Sequence, residues 1–239
     1  HVTFLKTGNS EIFYECEGEG TPVFLLAPGG MRSANSFWEN MPWNPRESLV
    51  KDFKLIGMDQ RNAGQSKAPI SPSDDWNTYT NDQIAILDHL EIEKCHLLGM
   101  CIGGPFIAGL LQADPRRFLS AVMLQPVGID DNRNALYEMF DSWADDAEVR
   151  EKFLTPEAIS QFRSNMWDGE FLLSATKDNV RKFDTPLLLF MGDDLYHPQS
   201  ISREIANIGL DVTFVEEWKN PESLNNTNET ILSFLSKHS

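Results

Sequence analysis

One cysteine of this sequence stands in a frame of glycines that favours nucleophilic chemistry. Residues 99–103 read Gly-Met-Cys-Ile-Gly, after a short apolar run and before a segment of small and apolar residues. Glycine is needed wherever a side chain would collide with neighbouring backbone, so this pattern predicts a strand, a sharp turn with Cys101 at its tip, and a helix. The start of a helix stabilises anions, which favours the reactive thiolate. Cys101 is therefore the candidate nucleophile; the alternative is a cysteine that only packs in a core.

A glycine turn earlier in the chain could supply a second part of the same site. Gly29 and Gly30 follow the apolar run at 23–27. The backbone N–H of such a turn can point towards a nucleophile, and together with the N–H of Ile102 it would stabilise the oxyanion of a tetrahedral intermediate. We predict Gly30 as this donor, with Met31 as the alternative. A plain tight turn would also require glycine.

The elements that must position these residues are predicted by short apolar runs that alternate with helical patterns. Runs typical of buried strands lie at 23–27, 53–58, 96–98, 121–124, 186–191 and 212–215, and an antiparallel hairpin is expected from 2–5 and 12–15. Helical periodicity is present at 82–90, 102–112 and 223–235. Strands that alternate with helices predict an α/β protein with a mostly parallel sheet covered on both faces.

The alternation of strand and helix patterns stops between residues 127 and 182, which are helical in pattern and rich in aromatic and acidic residues. We interpret this segment as a helical cap inserted into a core formed by residues 1–126 and 183–239. Ordinary peripheral helices are the alternative. A cap would roof the substrate site, so the candidate substrate contacts are Met31, Met100, Tyr137, Trp143, Trp167 and Trp218.

Composition and charge exclude several classes of partner. The chain has 239 residues, of which 41% are hydrophobic and 23% charged, and its formal net charge is −16. A protein with this much negative charge repels phosphate backbones and anionic membrane surfaces. We therefore expect neither a nucleic acid nor a membrane partner. No metal-ligand cluster or phosphate-binding glycine pattern is visible, and we expect no metal and no cofactor. A small-molecule substrate is the expected ligand.

The cysteine count bears on the compartment. The three cysteines, Cys16, Cys95 and Cys101, are too few and too scattered to indicate a disulfide framework. The start of the sequence shows no signal-peptide pattern. These features predict a reducing, cytoplasmic location, with Cys16 and Cys95 as packing residues.

The motifs occur in an order that resembles the α/β-hydrolase superfamily over nearly the whole chain. They are the glycine turn after an early strand, the Asp-x-Arg-x-x-Gly-x-Ser loop at 59–66, the nucleophile elbow at 99–103, and an acid loop at 192–198. The resemblance is nearest to capped esterases and C–C hydrolases, and it implies a twisted sheet of about eight strands flanked by helices. In the superfamily's acid loop the Asp lies four residues before a Pro, which selects Asp194, with Asp193 as the alternative. We interpret the loop at 59–66 as structural.

The sequence departs from the superfamily at the nucleophile and at the base. Cys101 stands where Ser is usual, although dienelactone hydrolases and polyhydroxyalkanoate synthases also use Cys, and Pro28 stands where His usually precedes the oxyanion glycine. The superfamily's base follows the last strand, but residues 216–223 contain no His. Of the five histidines, His197 alone falls in a loop at the active edge. We therefore predict His197 as general base, oriented by Asp194; the alternative is a loop residue, with Asp194 capping the next helix.

Two kinds of function are compatible with these residues. The first is a hydrolase in which Cys101 attacks an ester, thioester, lactone or C–C-linked diketone that carries an apolar moiety, with an acyltransferase as a variant. The second is a catalytically weak ligand-binding or regulatory protein on a hydrolase scaffold. The position of His197 relative to Cys101 separates them.

Overall fold

The computed structural model describes residues 2–239, and an eight-stranded sheet runs through this range. The strands are β1 (Val2–Thr7), β2 (Ser10–Glu17), β3 (Pro22–Leu26), β4 (Lys54–Met58), β5 (Cys95–Met100), β6 (Phe118–Leu124), β7 (Leu187–Phe190) and β8 (Val212–Val215). They lie in the order β1-β2-β4-β3-β5-β6-β7-β8. β2 is antiparallel to β1 and β4, and all other neighbours are parallel. The predicted α/β class, the amino-terminal hairpin and the mostly parallel sheet of about eight strands are confirmed.

Helices connect the strands and cover the sheet. They are α1 (Pro45–Ser48), α2 (Trp76–His89), α3 (Gly103–Ala113), α4 (Arg133–Ala144), α5 (Ala147–Arg150), α6 (Pro156–Trp167), α7 (Lys177–Arg181), α8 (Gln199–Ile208) and α9 (Leu224–Lys237). The helix expected at 82–90 begins earlier, at Trp76. A capping box between Asp75 and Thr78 starts it, and the polar residues at 80–83 interrupt the apolar periodicity between Tyr79 and Ile84.

The strands are buried on both faces because alternate residues pack into different apolar clusters. In β3, Phe24 and Leu26 belong to one cluster, and Val23 and Leu25 belong to the other. All four side chains are almost completely buried, at 1% exposure or less. A strand covered on both faces needs apolar residues at consecutive positions, which is why the central strands read as unbroken apolar runs.

Helices α4–α7 lie between β6 and β7, within the segment for which a cap is predicted. Buried indole N–H groups join them to the core: Trp76 of α2 donates to Met166 O at 2.9 Å, and Trp143 of α4 donates to Asn62 O at 2.9 Å. Aromatic rings of α6 pack on rings of α2, as in the Tyr79–Phe162 pair at 6.4 Å between centroids, and rings of α4 pack on α6, as in the Phe140–Phe162 pair. The aromatic richness of this segment therefore serves its own packing. Within residues 2–239, no helix combines the length and apolar character that crossing a bilayer requires.

Candidate active site

The turn that carries Cys101 is built as the glycine pattern predicts. Cys101 adopts φ +61°, a left-handed conformation that costs energy for a side-chain-bearing residue and recurs at functional sites. A Cβ on Gly99 would lie 2.9 Å from the backbone of Gly103, and a Cβ on Gly103 would lie 2.5 Å from Leu26 O. Both glycines are therefore required by the close approach of β5, β3 and the start of α3.

Backbone hydrogen bonds hold the half-buried Cys101 in place. Its N–H donates to Leu124 O at 3.0 Å, and its carbonyl accepts from the N–H groups of Gly104 at 3.0 Å and Val127 at 3.1 Å. The nucleophile position is thus tied to β6 and to the segment that follows it. The side chain stands at the start of α3, whose N-cap is Ile102.

The glycine turn after β3 presents backbone donors near the cap. Gly29 and Gly30 have φ values of +116° and +57°, which allow the chain to turn sharply. The N–H groups of Gly30 and Ile102, the two predicted oxyanion donors, donate no hydrogen bond to any residue that the structure describes. The Met31 N–H donates to Met139 Sδ of α4 at 3.5 Å. In this turn the Gly30 N–H therefore has no acceptor among the described residues, whereas the neighbouring Met31 N–H is paired with α4.

The loop at 59–66 supports this turn. Asp59 is 4% exposed and accepts hydrogen bonds from Asn35 N–H at 2.9 Å and Gln65 N–H at 2.9 Å. Gln60 N–H donates to Ser33 O at 3.0 Å. Burial raises the pKa of the Asp59 carboxyl, and the two backbone hydrogen bonds oppose that shift. These contacts agree with the structural interpretation of the loop.

His197 lies in the loop between β7 and α8, with its ring largely buried. Nδ1 lies 2.9 Å from Asp194 Oδ1 and 3.1 Å from Asp194 Oδ2. The buried Nε2 has no well-formed hydrogen bond to any described residue, yet the Cys101 thiol is close enough to interact with the ring. The Cys101 side chain and the His197 ring are therefore neighbours without a well-formed hydrogen bond between them.

The ring's environment favours its protonated form. Burial lowers the pKa of His197, but the Cys101 sulfur and the Asp194 carboxylate outweigh burial and raise that pKa to about 8. For Asp194, burial raises the carboxyl pKa, while the His197 charge and hydrogen bonds, with a smaller contribution from Lys219, bring the pKa below its usual value. The structure therefore brings Cys101, His197 and Asp194 together in series.

Asp194, rather than Asp193, contacts His197. Asp194 also accepts the N–H groups of Tyr196 at 3.0 Å and His197 at 2.9 Å, so it shapes its own loop. It does not cap α8, because the N-cap of that helix is Pro198 and no side chain bonds there. Asp193 pairs instead with Lys219 Nζ at 2.7 Å.

The six predicted substrate contacts have mixed surroundings. Met31, Met100, Trp143, Trp167 and Trp218 are buried, with exposures of 2% or less. Tyr137 is half-buried, donates its hydroxyl to Asp168 and lies under the Arg163 guanidinium at 3.9 Å. The indole N–H of Trp218 donates to Met191 O at 2.9 Å. The five buried side chains all belong to the apolar clusters of the core, including Met31 beside Gly30 and Met100 beside Cys101, so they are engaged in packing.

Three residues near the site were not predicted from the sequence: Met139, Gln125 and Lys219. Met139 touches the oxyanion turn, as described above. Lys219 Nζ donates to Gln125 Oε1 at 2.8 Å as well as to Asp193. Gln125 and Lys219 follow β6 and β8. A polar residue just after the carboxyl end of a parallel strand, the edge at which α/β proteins bind ligands, is the signal that could have identified Gln125. Lys219 lies further along its loop and Met139 lies within α4, so neither carries that signal.

Several known proteins are similar in sequence to this chain. It is 24% identical over 255 aligned residues to the dihydrolipoyllysine-residue acetyltransferase component of the acetoin cleaving system of Pseudomonas putida, a match that covers 95% of the chain and 66% of the relative. It is 25% identical to an uncharacterised carboxylesterase of Bacillus subtilis, with 81% and 71% covered. A protein assigned as a carbamate hydrolase in Azorhizobium caulinodans is 30% identical over 52% of the chain and 44% of its own length. The chain thus spans less than two thirds of the length of two of these relatives.

Solved structures share the fold over almost the entire chain. The meta-cleavage product hydrolase of Pseudomonas fluorescens has a TM-score of 0.73 at 20% identity, with 99% of this chain and 98% of that chain covered. The enol-lactonase of Burkholderia xenovorans has a TM-score of 0.71 at 19% identity, with 98% and 100% covered. Residues 22–204 match the family model of the alpha/beta hydrolase fold. The chain therefore belongs to the α/β-hydrolase family.

Proposed function

We propose that this protein is a hydrolase in which Cys101 attacks the carbonyl carbon of an acyl substrate. One observation carries the proposal: the buried His197 ring is held by Asp194 through Nδ1, and its buried Nε2 has no hydrogen-bond partner among the described residues. The Cys101 sulfur, which raises the pKa of the ring, is the neighbouring group with which that nitrogen can exchange a proton. A nucleophile, a base and a group that orients the base are the three parts that covalent acyl transfer requires. A binding protein on the same scaffold would have no need of this series.

The first half of the reaction forms a thioester on Cys101. The thiolate donates an electron pair to the carbonyl carbon, a C–S bond forms, and the carbonyl π electrons move to oxygen. The N–H groups of Gly30 and Ile102 stabilise that oxyanion. When the carbonyl re-forms, the bond to the leaving group breaks, and the His197 imidazolium supplies the proton that the leaving group needs.

The second half releases the acid. Neutral His197 takes a proton from water, the hydroxide oxygen attacks the thioester carbon, and the C–S bond breaks when the carbonyl re-forms. The thiolate and the imidazolium are restored, with Asp194 stabilising the charged ring throughout. An amine or thiol in the place of water would make the same intermediate an acyl donor, and the reaction would be an acyl transfer.

The names of the relatives support the substrate class. Esterase, lactonase, carbamate hydrolase and meta-cleavage product hydrolase all denote cleavage beside a carbonyl group. We therefore place the substrate among small molecules that are esters, thioesters, lactones or C–C-linked diketones with an apolar moiety. A reducing, cytoplasmic setting is part of the proposal, because a nucleophilic thiol must stay reduced; all three cysteines are free in the structure.

The test is acylation of Cys101 followed by turnover. The protein is incubated with p-nitrophenyl esters and with acyl thioesters of increasing chain length, and peptide mass spectrometry locates any acyl group. We expect acylation at Cys101, loss of turnover in Cys101→Ala, and trapping of the thioester in His197→Gln. Cys16→Ser is the matched control, because Cys16 is a half-buried thiol outside the site.

Other outcomes would redirect the proposal. Turnover that persists in Cys101→Ala would eliminate the thiol mechanism. Acylation that is released only by amines or thiols would make the protein an acyltransferase. An unreactive Cys101 in a chain that nevertheless binds these compounds would favour the ligand-binding alternative.

A further inference from the structure

A lysine occupies the loop after β8, the loop in which the resemblance places the superfamily's base. Lys219 Nζ lies 2.7 Å from Asp193 Oδ1 and 2.8 Å from Gln125 Oε1. Its side chain is 28% exposed, so it is more enclosed than an ordinary surface lysine. The three residues come from the loops after β6, β7 and β8, and Lys219 joins all three.

We propose that Lys219 is a positioning residue that holds the Asp193–Asp194 segment in register with His197 and Cys101. This inference rests on the proposed function, because it concerns how the same nucleophile and base are aligned. Lys219 does not touch the reacting atoms; it acts through Asp193, Asp194 and Gln125.

The backbone beside Lys219 is anchored on two sides. Trp218 is 1% exposed, and its indole N–H donates to Met191 O at the end of β7. Thr227 Oγ1 of α9 donates to Trp218 O at 2.7 Å. With Trp218 locked between β7 and α9, the next residue can project its ammonium group from a defined point. A freely mobile lysine would lose more side-chain entropy in making the same contacts.

The Gln125 contact extends the network to the support of the nucleophile. Gln125 adopts φ +39°, and its N–H donates to Phe190 O at 2.9 Å. The preceding carbonyl, Leu124 O, accepts the Cys101 N–H. Lys219 therefore connects the backbone at Leu124 and Gln125, which fixes Cys101, with the loop that carries Asp194.

The positive charge of Lys219 acts on the two neighbouring carboxylates. Asp193 and Asp194 are adjacent carboxylates, and the ammonium neutralises part of their repulsion. Lys219 also helps to keep the pKa of Asp194 low, after the larger effect of His197. Without the ammonium, Asp193 has lost its partner and the segment is free to shift, so the Asp194–His197 contact loses alignment.

The experiment compares Lys219→Met with Lys219→Arg in the full chain, with the substrate that turns over fastest in the acylation screen. We expect Lys219→Met to lower kcat about tenfold with little change in KM, since residues that orient catalytic groups commonly contribute one to two powers of ten. Lys219→Arg, which retains the charge and can reach both oxygens, is expected to restore most of kcat. Lys177→Met is the control, because Lys177 pairs with Glu204 at the surface, at 3.5 Å, and lies outside this network.

A double-mutant cycle with Asp193→Asn separates alignment from general destabilisation. If Lys219 acts through Asp193, the losses in kcat are less than additive, because either change breaks the same pair. A rise in KM at constant kcat would mean that Lys219 binds substrate, and it would overturn the inference. So would a kcat unchanged in Lys219→Met. Inactivity of His197→Gln together with full activity of Lys219→Met would reject this inference alone, whereas full activity of His197→Gln would reject the proposed function.

Discussion

The sulfur of Met139 accepts a hydrogen bond from the Met31 N–H at 3.5 Å, so helix α4, which lies in the segment predicted to form a cap, rests directly on the turn at 29–31. A Cβ on Gly30 would lie 2.8 Å from the same sulfur. The neighbouring Arg32 side chain pairs with Asp146, just after α4, and reinforces the contact. Helix α4 therefore occupies space beside Gly30, the residue predicted as an oxyanion donor.

This contact predicts that Met139 controls access to Cys101. Met139→Ala removes the sulfur and most of the side chain, so alkylation of Cys101 by a bulky maleimide is expected to speed up severalfold. Met139→Leu nearly conserves volume and should react almost as slowly as the original protein. Mass-resolved alkylation kinetics provide the measurement, and equal rates in all three proteins would show that Met139 does not limit access.

The pKa of His197 predicts the pH dependence of turnover. Because the free Cys101 sulfur and Asp194 raise that pKa to about 8, the ring keeps its proton below this pH and can supply it to the leaving group. Acylation of Cys101 is therefore expected to slow as the pH rises through about 8, so that free enzyme persists and less acyl-enzyme forms at early times. Rapid-quench mass spectrometry between about pH 6 and 10 follows both species across the His197 titration. A flat profile, or an inflection that survives in His197→Gln, would assign the base to another group.

The close approach at the elbow predicts a large loss of stability for Gly103→Ala. The new Cβ would lie 2.5 Å from Leu26 O. Because that oxygen is a backbone atom and the Cβ is fixed to the backbone of α3, either β3 or α3 must move. We expect a loss of about 3 kcal/mol in the free energy of unfolding, the range for severe overpacking. Gly8→Ala is the control: Gly8 has φ +56°, but a Cβ there would meet no atom within 4 Å, so only the backbone conformation is penalised, by about 1 kcal/mol. Urea titration of both variants decides the comparison.

His96 predicts acid sensitivity that is unrelated to catalysis. It is fully buried at the start of β5, where Nδ1 lies 2.6 Å from Ser120 Oγ and Nε2 lies 2.9 Å from Ser239 Oγ. Burial, with a smaller effect of His238, lowers its pKa from 6.5 to about 4. The unfolded chain therefore binds a proton that the native protein does not, and stability present above pH 6.5 is lost as the pH falls towards 4.

The expected loss is about 2 kcal/mol between pH 6.5 and pH 5, because one such proton changes the free energy of unfolding by about 1.4 kcal/mol per pH unit. His96→Gln should remove this component of the pH dependence, whatever its cost at neutral pH. Urea unfolding at several pH values gives the slope. The same slope in both proteins would place the acid sensitivity elsewhere.

Much of this protein can be read from local sequence. The elbow was predictable because glycines at 99 and 103 flank Cys101 at a fixed spacing, although the contact that requires Gly103 comes from Leu26 of β3. The sheet was predictable because strands buried on both faces are continuous apolar runs. The early start of α2 was missed because capping residues, rather than apolar periodicity, define it.

Tertiary structure alone decided how the polar loops meet. It placed the His197 ring on Asp194 and left Asp193 to Lys219, a choice between adjacent carboxylates that depends on the path of one loop. It also turned the tryptophans of α4 and α6 inward and brought Met139 onto the turn at 29–31. Turn glycines and apolar runs are visible in short stretches of sequence, so the elements that they specify can be predicted from it. Contacts between side chains far apart in the chain depend on loop geometry, which no local pattern specifies.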